Sequence, residues 1–131
     1  MSFLSEVRSS TPHVKPLFLQ THLSKLFLPM PLLRTVRLTF HPEHLDAFHA
    51  LFAETRGRIA AAPGCRSLEL WQDVGFPNVL TTVSLWDAAA ALDAYRASDL
   101  FRETWARTTP LFAAPPVARS HVPATPPDDT R

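Results

Sequence analysis

The sequence predicts an α+β fold of the ferredoxin-like kind, a split βαβ arrangement with a four-stranded antiparallel sheet. Three observations predict it. Apolar and polar residues alternate with period two over residues 32–40, 65–72 and 79–86. Apolar residues recur at spacings of three and four between the first and second of these stretches, and again after the third. A last short stretch, 117–122, closes the order strand, helix, strand, strand, split helix, strand.

Residues 1–30 differ in character from the rest of the chain and read as a flexible N-terminal extension. Residues 17–28 are apolar but interrupted by Gln20, His22, Ser24 and Lys25, unlike the unbroken run of a secretory signal. Met30 stands directly before the first strand, so residues 1–29 are expected to be an upstream extension or a misassigned start. The globular domain is expected over residues 31–122. In its first strand Leu32, Arg34, Val36, Leu38 and Phe40 share one face, and Leu33, Thr35, Arg37 and Thr39 the other. His41-Pro42-Glu43 opens a helix, with proline in the first turn and an acidic side chain at the positive helix end. Leu45, Phe48, Phe52, Thr55 and Ile59 give it an apolar stripe, and Pro63-Gly64 stops it. Cys65–Gln72 is the second strand, 73–78 a hairpin loop, and Val79–Trp86 the third strand.

Asp87 is placed as the N-cap of the second helical region, which Ser98-Asp99 divides in two. Leu92 and Tyr95 share a face of its first half, and Phe101, Trp105, Thr108 and Phe112 continue at helical spacing. Residues 123–131 are polar and proline-rich and are expected to be a disordered tail. With the helices on one sheet face, the other face is expected to carry Thr35, Arg37, Glu69, Trp71, Leu80 and Ser84. That mixture is too apolar for open water and too polar for a monomer core, and suits pairing with a second copy.

A chain of 131 residues is one domain by length. A net charge of +1 gives no support to nucleic acid or an anionic membrane as partner, and no apolar run is long enough to span a membrane. Of the residues on the strands, only Trp71 and Arg37 would suit a nucleic-acid-binding sheet. The single cysteine, Cys65, has no internal disulfide partner, so the cytoplasm is the expected compartment.

Four segments taken together carry a family resemblance. Arg37-Leu38-Thr39-Phe40-His41-Pro42-Glu43, Pro63-Gly64-Cys65, the run from Asn78-Val79 to Leu85-Trp86-Asp87, and Ser98-Asp99-Leu100-Phe101-Arg102 resemble, in order and spacing, the antibiotic biosynthesis monooxygenase (ABM) domain. The resemblance implies a dimeric α/β barrel, two ferredoxin-like subunits packed sheet against sheet. It further implies a monooxygenase that oxidises a small aromatic or quinol-like compound with O2 and needs no cofactor, with its ligand between the sheet and the second helical region.

Haem-degrading members of the family resemble one another in an asparagine on the first strand, a tryptophan in the helix after the third strand, and an axial histidine in the next helix. The matching positions here are Val36, Tyr95 and Trp105. Without a histidine at Trp105 there is no axial ligand, and haem degradation is not expected. Phenol-oxidising members use an amide and a tryptophan on the third strand, then a tyrosine, then an arginine. Those positions hold Thr82, Trp86, Leu92 and Arg102. The resemblance therefore makes Trp86 and Arg102 the catalytic candidates. Val36, Tyr95, Phe101 and Trp105 are the ligand-binding candidates, with Tyr95 one helical turn from Leu92.

Simpler readings stand beside these. Trp86, Tyr95 and Trp105 suit plain core packing. Arg102 suits a surface pairing with Asp99 or Glu103. The whole domain suits a non-catalytic dimeric barrel that binds a small hydrophobic molecule or acts in stress response. His41, His44 and His49 lack a third ligand at a matching spacing, so no metal is expected. Cys65 reads as a small buried apolar residue, ahead of a reactive thiol.

Overall fold

The computed structural model describes residues 30–125. The expectations for residues 1–29 and for most of the tail lie outside them. The elements are β1 (Leu32–Thr39), a 3-10 turn (Pro42–His44), α1 (Leu45–Ala60), β2 (Cys65–Gln72), β3 (Val79–Trp86), α2 (Ala89–Arg96), α3 (Asp99–Thr108), a second 3-10 turn (Thr109–Leu111) and β4 (Val117–His121). The sheet order is β2-β3-β1-β4, antiparallel throughout. This is the ferredoxin-like α+β fold.

Alternation gave the strands their bounds to within a residue. Phe40 leaves β1 but keeps an isolated bridge to Phe112, and β4 ends at His121. The helix-facing core is built on Leu38, Phe40, Phe48, Phe52 and Leu80, with a second cluster of Leu32, Trp86 and Leu92. Leu51 is buried beside the predicted stripe of α1, which is wider than the spacing alone suggested.

Two expectations are corrected. Leu80 and Ser84 do not lie on the bare sheet face: they are 1% and 7% exposed and point toward the helices. Register decides this, because Leu80 pairs with Leu38 and Ser84 with Arg34, both on the helix side of β1. The bare face of β3 is instead Val79, Thr81, Val83 and Leu85, beside Leu33, Thr35 and Arg37 of β1 and Glu69 and Trp71 of β2. Nor does Asp87 cap α2. The N-cap is Ala88, without a side-chain bond, and Asp87 accepts a hydrogen bond from Arg66 Nε at 2.6 Å. A charged partner on the neighbouring strand outcompetes the helix end for the carboxylate. Ser98 does cap α3, accepting from the Phe101 N–H at 3.2 Å.

Gly64 joins α1 to β2 with φ +85, and its carbonyl accepts the Asp87 N–H at 2.8 Å. The β2–β3 loop is fixed by Asp73, whose Oδ2 accepts the N–H groups of Gly75 and Phe76 at 2.9 and 3.0 Å.

Candidate functional site

Two adjacent rungs of the sheet carry small or polar side chains on the helix side. One rung runs Thr82, Val36, Ala118; the next runs Ser84, Arg34, Ser120. A helix laid over such a floor does not fill the space above it. Between this floor and the roof of α1, α2 and α3 lies a cavity of about 280 Å³.

Its walls are largely aromatic and aliphatic. Trp86, Tyr95, Phe101 and Trp105 all line it, as do Val36 and Phe52. The rings form a continuous series. Trp86 stacks on Tyr95 at 5.3 Å, Tyr95 meets Phe101 edge-on at 5.4 Å, and Phe101 stacks on Trp105 at 5.7 Å. Trp105 then meets Phe112 at 5.6 Å, and Phe112 meets Phe40 at 5.4 Å. Pocket wall and core are thus the same rings seen from two sides.

The polar groups in the lining are few. The Trp86 indole N–H donates to Ser84 Oγ at 2.9 Å, so its ring is left to stack. Thr55 and Thr108 donate to the carbonyls of Leu51 and Thr104 in their own helices. The Tyr95 hydroxyl makes no hydrogen bond among the described residues. Burial, and then the neighbouring Cys65, push its pKa up to about 12, so it is a neutral O–H donor at physiological pH. The Cys65 thiol is itself pushed up by burial, which makes it less reactive than an ordinary cysteine.

Two arginines complete the lining, Arg34 from β1 and Arg96 from the last turn of α2. Arg34 Nη1 donates to Ser120 Oγ at 2.9 Å. Burial, and then the Arg96 charge, hold Arg34 below the usual guanidinium range, and Asp93 acts the other way. No carboxylate and no imidazole lines the cavity among the described residues. The roof is tied by Arg107 of α3, which donates to both carboxylate oxygens of Glu54 on α1 at 2.7 and 3.0 Å. This pairing lowers the Glu54 pKa and raises that of Arg107.

The structure thus brings together Val36, Trp86, Tyr95, Phe101 and Trp105 around one cavity. It does not bring Arg102 there. That side chain is exposed, forms an ion pair with Asp99 and donates to the Ala97 carbonyl at 3.1 Å, clamping the turn between α2 and α3. The spacing from Ser98 puts Arg102 on the outer side of α3. Of the cavity's own cations, Arg34 and Arg96, only Arg34 had a signal in the sequence: it is a charged residue in the helix-side register of a strand. His41 and His44 lie at the entry to α1, edge to face at 5.5 Å, away from the cavity.

A family model for antibiotic biosynthesis monooxygenase matches residues 31–107. Among curated proteins none matches the chain. Solved structures do. Rv0793 from Mycobacterium tuberculosis is similar at 23% identity and TM-score 0.66, over 77% of this chain and 99% of that one. An antibiotic biosynthesis monooxygenase of known structure is similar at 21% identity and TM-score 0.67, over 72% of this chain and 99% of that one. A conserved protein from Methanosarcina mazei Go1 is similar at 18% identity and TM-score 0.68, over 70% and 91%. At these identities the structural likeness establishes the fold.

Proposed function

The chain belongs to the antibiotic biosynthesis monooxygenase family, and on that premise we propose that it oxidises a small aromatic, quinol-like compound with O2, without a cofactor and as a homodimer. The observation that carries the reading is the cavity: about 280 Å³, walled by stacked aromatic rings, with two guanidinium groups and, among the described residues, no carboxylate in its lining. An apolar cavity of about 150 Å³ holds one benzene ring. Two fused rings are therefore the fitting size.

In this reading the substrate supplies the electrons. A phenolate passes one electron to O2, giving a phenoxyl radical and superoxide. The pair recombines, forming a C–O bond at a ring carbon. Loss of that carbon's proton with cleavage of the O–O bond releases water and leaves the quinone, so that one phenol and one O2 give one quinone and one water. The protein's part is to hold the ring, exclude bulk water and favour the anion. Trp86 and Tyr95 would form the stacking wall, with Phe101, Trp105 and Val36 completing the sides. The Tyr95 O–H is a neutral donor for the oxyanion, and Arg34 and Arg96 supply a positive field beside it.

Among the described residues no carboxylate or imidazole in the lining takes the phenolic proton, so the substrate has to ionise to solvent. That same observation favours a second reading, a non-catalytic binder of a small hydrophobic molecule. Oxygen uptake with a panel of naphthols and dihydroxynaphthalenes separates the two. The enzyme reading expects one O2 consumed per quinone. It also expects a rate that rises with pH and levels off below the free phenol's pKa, which is about 10 for a simple phenol, because nearby cations stabilise the ionised form. Trp86→Phe should lower the rate. Binding without uptake for every compound would establish the binder.

The dimer is proposed through the bare sheet face, where Leu33 is 36% and Trp71 60% exposed beside Val83 and Leu85. Light scattering should give twice the monomer mass, and Trp71→Glu should shift it toward the monomer. A monomer at all concentrations would overturn the dimer. The single cysteine supports a reducing compartment, the cytoplasm, as the place of action.

A further inference from the structure

We propose that the cavity is built for an aromatic carboxylate, a fused two-ring system whose carboxylate is anchored by Arg34 and Arg96. The proposal rests on the reading of the cavity as an aromatic site and goes beyond it by assigning a permanent anion to the ligand.

Four features support it. First, Arg34 occupies a helix-side position of β1, between Leu32 and Val36, where an arginine costs desolvation that an aliphatic residue would not. Second, Ser120 on the adjacent strand holds it in place through one N–H, and a guanidinium has five. The remaining donors have no partner among the described side chains. Third, Arg96 reaches the same cavity from α2, its guanidinium carbon 6.0 Å from the Phe101 ring centre, so a second fork lies over the aromatic wall. Fourth, neither arginine forms an ion pair among the described residues, so no carboxylate occupies their forks. Asp93 acts on Arg34 only through its field.

Two like charges facing one apolar space repel each other. Burial first, and then the Arg96 charge, lower the Arg34 pKa. A bound anion reverses the sign of that interaction. A phenolate offers a single oxygen to the two cations. A carboxylate offers two oxygens, enough for both cations, and matches the planar guanidinium fork. The apolar walls would take the rings, and the arginine pair would fix which end of the ligand points to solvent.

The test uses a matched pair of probes that cannot be oxidised to quinones by this route, 2-naphthoate and 2-naphthamide, with binding followed by calorimetry on the full chain. The carboxylate should bind at least about tenfold more tightly than the amide, since charge-assisted hydrogen bonds to guanidinium exceed neutral ones by that order. Arg34→Met and Arg96→Met should each weaken naphthoate about tenfold and leave naphthamide within about twofold. Arg96 is exposed, so its variant reports even if Arg34→Met fails to fold, and Arg34→Lys serves as the second variant at that position. If the amide binds as well as the carboxylate, the anion proposal is overturned and the aromatic site stands. If neither binds, the aromatic-site reading falls and takes the proposal with it.

Discussion

Replacing Gly64 with alanine should destabilise the domain more than any other substitution of similar size. Gly64 has φ +85, and a Cβ there would sit 2.4 Å from the Ala91 Cβ. The left-handed backbone costs a residue with a Cβ about 1–2 kcal/mol, and overpacking adds about 1–3 kcal/mol. At about 4–8 °C per kcal/mol for a domain near this size, the melting temperature should fall by at least about 8 °C. The two costs can be separated. Ala91→Gly in the same chain removes the collision and leaves the backbone penalty, so the double variant should recover only part of the loss. Urea denaturation of the four proteins in this cycle gives the coupling directly. Full stability in Gly64→Ala would show that the α1–β2 junction and α2 are not in close contact.

The second large effect is expected at Trp86. It is 1% exposed, stacks on Tyr95 and bonds Ser84. Trp86→Ala should cost about 3–5 kcal/mol, the usual loss for deleting a buried large aromatic side chain. For a domain whose total stability is about 5–15 kcal/mol this is a large share. Trp86→Phe keeps a ring against Tyr95 but leaves the Ser84 hydroxyl without its donor, at about 1–3 kcal/mol. Denaturant midpoints for the two variants should fall in that order. The phenylalanine variant is the useful one for oxygen uptake, because it tests the wall without emptying it. Equal stability of all three proteins would mean that Trp86 is not the packing centre of its cluster.

The strands were legible because alternation needs no knowledge of partners. Which alternate set faced the helices was less so for β3. Val79, Thr81, Val83 and Leu85 are about as apolar as Leu80, Thr82, Ser84 and Trp86, and only the pairing of Leu80 with Leu38 chooses between them. The aromatic side of the cavity was legible through Trp86, Tyr95, Phe101 and Trp105, which helical spacing and the family resemblance placed together. Its cationic side was legible only at Arg34, a charged residue in the helix-side register of β1. The family resemblance drew attention to Arg102, whose ion-pair partner is Asp99, three residues away on the same helix. Arg34 and Arg96 lie far apart in sequence and meet only because β1 and α2 face each other across the cavity. Asp87 shows the same limit. Its preference for a helix N-terminus is local, and the Arg66 side chain that captures it arrives from another strand.

The place of β1 in the middle of the sheet sets an order of events during synthesis. Its partner on one side, β3, comes about midway along the domain, but its partner on the other side, β4, leaves the ribosome last, and Leu33 waits for His121. Such distant pairings slow folding, because a long loop has to close before they contribute. Ala118 forms part of the cavity floor and Ser120 tethers Arg34. A nascent chain can therefore assemble β1 to β3 and α1 to α3 while the cavity is still open along one side. β4 is the element that completes its floor.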